Sequence, residues 1–294
     1  MSARAVLLVG HGSVSSLEQL PAFLTSIRHG RPPPADLLAE VRRRYQAIGG
    51  ISPLSQVQQR LAHKLGARLG QPVHVASRHG EPALAEVLET LREGGVRCVQ
   101  VIPMAQHSAP IYAEAVRERA ADLEVRATAN WGQRADLLAL FGAKLAAALA
   151  PLGDRRVRVL FSAHSLPEAV IAAGDPYERE VRAAAAALME QYRVQDARIV
   201  FQSQGLGVGP GGTPMRWLGP DLLSALDQAK ADGVEHVLLA PVGFLADHVE
   251  ILYDLDIEAR AWAEERALGF SRTASLNDDD DFVEVLARIA GELA

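Results

Sequence analysis

Three carboxylates stand four residues apart in the stretch Asp247-His-Val-Glu-Ile-Leu-Tyr-Asp-Leu-Asp-Ile-Glu258, namely Glu250, Asp254 and Glu258. Positions i, i+4 and i+8 predict one acidic stripe along a helix. Like charges at that spacing cost a helix roughly 0.2–0.5 kcal/mol per pair, and the apolar Ile251, Leu252 and Leu255 predict that part of the helix is buried. Such a stripe is suited to a cation; a solvated acidic face behind a cap at Asp247 is the plainer reading. The preceding run favours the cation. Glu235-His-Val-Leu-Leu-Ala-Pro-Val-Gly-Phe-Leu245, entered from Asp232-Gly233, reads as a buried parallel strand. The acidic helix therefore begins beyond the carboxyl end of a central strand, where open α/β sheets place their ligands.

A histidine occupies a matching place. After the strand pattern Arg156-Val-Arg-Val-Leu-Phe161 comes Ser162-Ala-His164-Ser-Leu-Pro167, with His164 at a strand tip. A lone loop histidine is usually structural. Here His164 and Glu250 follow two apolar strands of one half and can converge on a single cleft, where a neutral imidazole facing a carboxylate suits a divalent metal or proton transfer. Earlier, Ile27-Arg-His-Gly-Arg31 and Arg42-Arg-Arg-Tyr45 form a basic cluster, followed by Ala47-Ile-Gly-Gly-Ile-Ser-Pro-Leu54. Arginine captures carboxylate or phosphate with two hydrogen bonds, the glycines allow close backbone approach, and Ser52 before Pro53 marks a helix start and an anion contact. A solvated basic helix end is the alternative; taken together these residues suggest a carboxylated ligand. The glycines between 205 and 212 match no phosphate-binding fingerprint and read as a flexible loop. Histidines 29, 63, 74, 79, 236 and 248 read as structural, whereas His107 follows the strand tip at Pro103.

Alternating short apolar runs and amphipathic stretches must position these groups. Strands are predicted at 4–9, 73–77, 97–103, 124–129, 156–162, 197–202, 235–241 and 267–272. Helices are predicted at 36–47, 54–69, 82–93, 109–121, 134–149, 176–191, 219–231, 247–265 and 279–293. That alternation is an α/β pattern with parallel sheets. Sliding the sequence on itself by 138 positions aligns Pro82 with Pro220, Leu84 with Leu222, Leu88 with Leu226, Gly95-Val96 with Gly233-Val234 and Pro103 with Pro241. A helix, turn and strand unit thus occurs twice, and Leu-Val-Gly-His11 is echoed by Leu-Phe-Ser-Ala-His164. Two similar Rossmann-like domains, 1–150 and 151–294, account for the 294 residues; Ala150-Pro-Leu-Gly-Asp154 is the crossover, and the last helix is free to pack back on the first domain.

The 30 Lys+Arg against 36 Asp+Glu give a formal charge of −6, which argues against a nucleic-acid-binding surface or an anionic membrane partner. The one cysteine, Cys98, lies in a strand pattern and reads as a small core residue; it leaves no disulfide and no cysteine-ligated cluster. Met1-Ser-Ala-Arg4 runs straight into a strand and no run of about 18 apolar residues follows, so a soluble cytoplasmic protein is expected.

Phe161-Ser-Ala-His-Ser-Leu-Pro167 with Pro241-Val-Gly-Phe-Leu-Ala-Asp-His-Val-Glu250 resembles ferrochelatase. Arg44-Tyr-Gln-Ala-Ile-Gly-Gly-Ile-Ser-Pro-Leu54, Gly174-Asp-Pro-Tyr177, Phe201-Gln-Ser203 and Trp217-Leu-Gly-Pro220 extend the likeness, in order, over nearly the whole chain. The resemblance implies a chelatase-like fold with an active-site cleft between the two domains, where Fe(II), the substrate metal, enters a porphyrin. It implies His164 and Glu250 as catalytic and metal-handling residues, with Asp254 and Glu258 as further metal sites leading to Glu250. Arg28, Arg31, Arg44, Tyr45 and Ser52 lie in the porphyrin-binding segment of the family. His11, within Gly10-His-Gly-Ser13, stands where the soluble coproporphyrin ferrochelatases have a tyrosine that approaches the metal, and this stretch is similar to the small cobalt and sirohydrochlorin chelatases. The iron–sulfur cluster of some members lacks its cysteines here, and Ser15–Arg28 is shorter and more polar than the membrane-contacting lip of the mitochondrial enzymes.

The expected substrate is coproporphyrin III, giving coproheme. The alternatives are protoporphyrin IX giving protoheme, another divalent metal with another tetrapyrrole, or a heme carrier without chemistry. Expected partners are the porphyrin and the heme-pathway enzymes upstream and downstream, with no nucleic acid and no integral membrane contact; a monomer is expected.

Overall fold

The computed structural model describes residues 3–204 and 215–294. The glycines between 205 and 212, whose pattern reads as a loop, lie outside the described residues. Four strands, β1 (Ala3–Gly10), β2 (Val73–Ser77), β3 (Val96–Pro103) and β4 (Glu124–Ala127), form one all-parallel sheet in the order β2-β1-β3-β4. A second all-parallel sheet, of β5 (Val157–His164), β6 (Ala197–Gln202), β7 (His236–Ala240) and β8 (Gly269–Arg272), repeats it as β6-β5-β7-β8. The duplication read in the sequence is thus a duplication of strand order. Pro82 and Pro220, which the 138-residue offset aligns, both follow cis peptide bonds.

The chain packs as two compact units. One comprises Met1–Trp131, Leu245–Val249 and Leu276–Ala294, and the other Gly132–Phe244 and Glu250–Ser275. The chain passes between them at 131/132, ahead of the crossover expected near 150. The reason is the helix Ala135–Leu149: it packs on the helix Tyr177–Gln191 and on β7, and a Cβ at its Gly142 would lie 2.0 Å from the Tyr192 ring. The last helix, Asp280–Glu292, packs on the helix Leu54–Leu69 and on β3 in the first unit.

Each sheet buries a continuous apolar centre, as parallel sheets do. In the first unit Leu7, Val9, Val99 and Val101 pack with Leu84, Leu88 and Val116; in the second Leu160, Val237 and Leu239 pack with Leu226, Ile251 and Leu255. Ile251 and Leu255 are fully buried, so one face of the acidic stretch is anchored in the core. Two short helices, Leu20–Ile27 and Glu168–Ala172, occur where the pattern predicts none, because neither offers enough turns of clear periodicity. Among the described residues Ala135–Leu152 is long and apolar enough to cross a membrane by length and composition, with mean hydropathy 1.6 over 18 residues. Asp136 and Lys144 interrupt it, so it is not an unbroken apolar run. Its Leu137, Leu138, Phe141 and Leu145 are buried inside the second unit.

Candidate active site

His164 is the last residue of β5, a strand held on one side by β6 and on the other by β7. Its Nδ1 donates to the Ser165 carbonyl and the Tyr177 hydroxyl donates to its own carbonyl at 2.9 Å, which fixes both ring and backbone. Nε2 is thereby left for Glu250, whose Oε1 lies 3.5 Å away, with the two side chains 36% and 31% exposed. Burial is the largest single influence and pulls the imidazole pKa down, and the Glu250 carboxylate opposite leads those that raise it. With the Ser165 carbonyl and the Asp254 charge adding to that effect, the pKa is pushed up to about 9. The facing carboxylate favours the charged form of the ring.

The acidic stretch is not the continuous α-helix its spacing predicts. Glu250 lies on the short helix Val249–Leu252, and the backbone then widens into a π-helical segment, Asp254–Ala259, before the helix Arg260–Glu265 resumes. The Glu258 N–H donates to the Tyr253 carbonyl five residues back at 2.9 Å, the bond that marks the widened turn. Asp254 is 5% exposed and accepts from the Ser203 hydroxyl; Asp256 is held by two bonds from Arg272 at 2.7 and 2.8 Å; Glu258 is partly exposed. Of the four expected metal residues the structure pairs His164 with Glu250, and among the described residues no three His, Cys, Asp or Glu side chains close a metal cage.

The first unit presents a second imidazole at a strand end. His11 follows β1 and is exposed; its Nδ1 lies 3.5 Å from the Tyr112 hydroxyl, its ring stands edge-on to Phe23, and the His79 ring lies 4.9 Å away. Gly12 makes that approach possible, since its φ is +98° and a Cβ would lie 1.6 Å from the His79 carbonyl oxygen. His79, whose spacing reads as structural, is kept neutral: burial first, then the charges of Arg78, His29 and Arg119, hold its pKa at about 4. His107 is buried, which turns the strand-tip reading into a core position.

The expected carboxylate-binding residues divide. Arg28 and Arg31 carry side chains with no ion-pair partner among the described residues, and Arg28 Nε is buried without a hydrogen bond. Arg44 donates to Glu40 at 2.8 Å, and Arg43 and Arg44 together hold the Glu40 pKa at about 2. Tyr45 is buried in an apolar cluster with Val14, Leu20 and Phe23, its hydroxyl 3.2 Å from that of Ser13. Ser52 is buried, and its hydroxyl accepts from the Leu54 N–H as the helix Leu54–Leu69 begins. Both hydroxyls bond within their own chain. Helix-face counting cannot show this, because the folding back of 45–54 is set by Gly49 and Gly50, whose φ values are +96° and +90°. Gln202 and Ser203, at the tip of β6, stand out in the sequence only as part of a motif, yet both bond to the Glu250–Asp254 stretch.

Two parallel α/β units with a histidine at the end of each central strand, and a carboxylate facing one of them, define a chelatase-type fold. The solved structure of the sirohydrochlorin chelatase SirB from Bacillus subtilis subspecies spizizenii with cobalt has that fold: TM-score 0.60, 14% identity, covering 99% of this chain and 95% of that one. The chain belongs to the ferrochelatase family, whose profile matches residues 3–293. The ferrochelatase of Herpetosiphon aurantiacus is 34% identical, over 98% of this chain and 99% of the relative. That of Acidobacterium capsulatum is 35% identical, over 97% and 93%. The coproporphyrin III ferrochelatase of Anoxybacillus flavithermus is 31% identical, over 97% and 94%. The chain is accordingly an enzyme of heme biosynthesis that inserts a metal into a porphyrin.

Proposed function

We propose that the chain inserts Fe(II) into coproporphyrin III to give coproheme, with His164 and Glu250 carrying the reaction. The observation behind this reading is the 3.5 Å pair of His164 Nε2 and Glu250 Oε1 at the carboxyl end of a central strand. Insertion exchanges one dication for two pyrrole protons, so the site needs two bases that also tolerate the metal. A dication approaching the pair lowers the imidazole pKa and releases its proton. Neutral His164 and ionised Glu250 then each take one pyrrole proton. Asp254, already hydrogen-bonded, and Glu258, partly exposed, are assigned to supplying the cation rather than binding it in the reactive complex.

His11 is proposed to ligate the iron of the product, its ring standing at the end of a central strand with the Tyr112 hydroxyl 3.5 Å from Nδ1. The choice of coproporphyrin rests on the unpaired Arg28 and Arg31, because that porphyrin carries four propionates against two on protoporphyrin IX. Each shielded arginine–carboxylate contact contributes roughly 1.5–3 kcal/mol, enough for a tenfold preference. Relatives named as coproporphyrin III ferrochelatases at 30–31% identity support the same choice.

Steady-state kinetics with both porphyrins test it. The expected result is a higher specificity constant for coproporphyrin III, reduced in Arg28→Ala and Arg31→Ala, together with loss of insertion in His164→Ala and Glu250→Gln while porphyrin still binds. A preference for protoporphyrin IX overturns the substrate, and wild-type rates in the last two variants overturn the catalytic pair.

A further inference from the structure

Glu250 reaches His164 from the start of a helix only four residues long, which gives way at once to the π-helical segment. So short an element does not hold its own direction. What holds it comes from the neighbouring strand, β6. Gln202, the last residue of β6, is the register partner of His164 and is buried; its Nε2 donates to the Glu250 carbonyl at 3.0 Å. Ser203, next in sequence, donates its hydroxyl to the buried Asp254 carboxylate. These two bonds grip the chain four residues apart, on either side of the point where the α-helical turn widens.

We propose that Gln202 and Ser203 are positioning residues for metal insertion: a two-point clamp from the tip of β6 that sets where the Glu250 carboxylate stands against His164. The clamp rests on the reading that this pair carries the reaction. Both residues also carry local costs that packing alone does not account for. The buried Gln202 Oε1 has no hydrogen-bond partner among the described residues, and an unpaired buried acceptor is unfavourable where an apolar side chain of the same length would be neutral. Ser203 has φ +59°, the left-handed region that glycine enters without strain and serine does not. Adjacent residues that each retain a disfavoured feature, and each bond to the same catalytic stretch, indicate that the bonds are what is kept.

Two substitutions separate the clamp from mere packing. Gln202→Met removes the donor and keeps the length; Ser203→Gly removes the hydroxyl and relieves the backbone. With Fe(II) and porphyrin as substrates, each variant is expected to lose about tenfold or more in kcat with the KM for porphyrin changed less than about twofold, since a misplacement on the order of 1 Å is costly in rate but not in porphyrin affinity. The melting temperature of Ser203→Gly should fall by only a few degrees, because the relieved backbone offsets part of the lost hydrogen bond to Asp254. On the residual rate of Glu250→Gln, adding Gln202→Met should cost nothing more, because a residue that acts through the Glu250 carboxylate has nothing left to position. Wild-type kcat in Gln202→Met and Ser203→Gly refutes the clamp, as does a full additive loss in the Glu250→Gln background. Wild-type rates in His164→Ala and Glu250→Gln instead sink the catalytic reading beneath it, which is a different failure.

Discussion

Gly243→Ala tests how closely the chemistry depends on one strand tip. Gly243 lies in the turn after β7, and its N–H donates to the Ser162 carbonyl at 3.0 Å. A Cβ added there would lie 2.5 Å from the Cβ and 2.6 Å from the Cα of Ala163, the fully buried residue that precedes His164. Carbon atoms that touch without strain sit about 3.5–4.0 Å apart, so roughly 1 Å of movement is required. Ala163 is held in register with Phe201 on β6, so the relief has two routes: the turn lifts off β5, or the tip of β5 moves and carries His164 with it. Overpacking of this size costs about 1–3 kcal/mol, which corresponds to a drop of several degrees in melting temperature for a protein this large. A catalytic group displaced by about 1 Å can lose on the order of a hundredfold in rate. Insertion rate should therefore fall further than stability does. Ala163→Gly in the same chain should restore part of it, because it deletes the methyl carbon from the clash and leaves only the backbone carbon behind it. Thermal unfolding and initial-rate assays on the three variants read this out. A Gly243→Ala protein with the wild-type melting temperature and turnover would refute the steric reasoning.

Two further outcomes follow from charges away from the site. Arg158, 5% exposed on β5, donates to Asp196 at 2.9 Å and to Asp232 at 2.8 Å; because those carboxylates are 28% and 34% exposed, Arg158→Ala should cost about 1–3 kcal/mol in urea unfolding, less than for a fully buried pair. A cost near zero would show that the network adds nothing to stability. His236 has its pKa lowered from 6.5 by burial and then by the charge of Arg155. The unfolded chain therefore takes up this proton more readily than the folded one, so its contribution to stability is present above pH 6.5 and is lost as the pH falls below that value through the folded pKa. The unfolding free energy of the wild type should decline over that range, and His236→Asn should flatten the decline; an unaltered slope would assign it to other groups.

Much of this fold is readable from strand-length apolar runs and from the 138-residue repeat, because parallel strands buried on both faces must be apolar throughout and a duplicated unit repeats its turn residues. All eight expected strands are present, and His164 and Glu250 meet because each follows such a strand. The remainder depends on geometry that residue types do not encode. Counting by fours along 250–258 assumes a constant turn width and does not foresee the π segment. Tyr45 and Ser52 are chemically suited to a carboxylated ligand, yet a buried cluster and a helix start claim them. Gln202 and Ser203 sit in a recognisable motif, but their partners are 48 and 51 residues away, a distance that only the sheet closes.

The widened turn at Asp254–Ala259 bears on how such a site changes over generations. A π segment holds more residues per turn than an α-helix, so it accommodates an inserted residue that a regular helix would have to extrude. In an α-helix each residue turns the chain by about 100°, so a residue gained or lost here that the segment did not absorb would re-aim Glu250 against everything downstream, with no side chain exchanged. Which carboxylate faces His164 is then a matter of reading frame along the helix as much as of sequence identity.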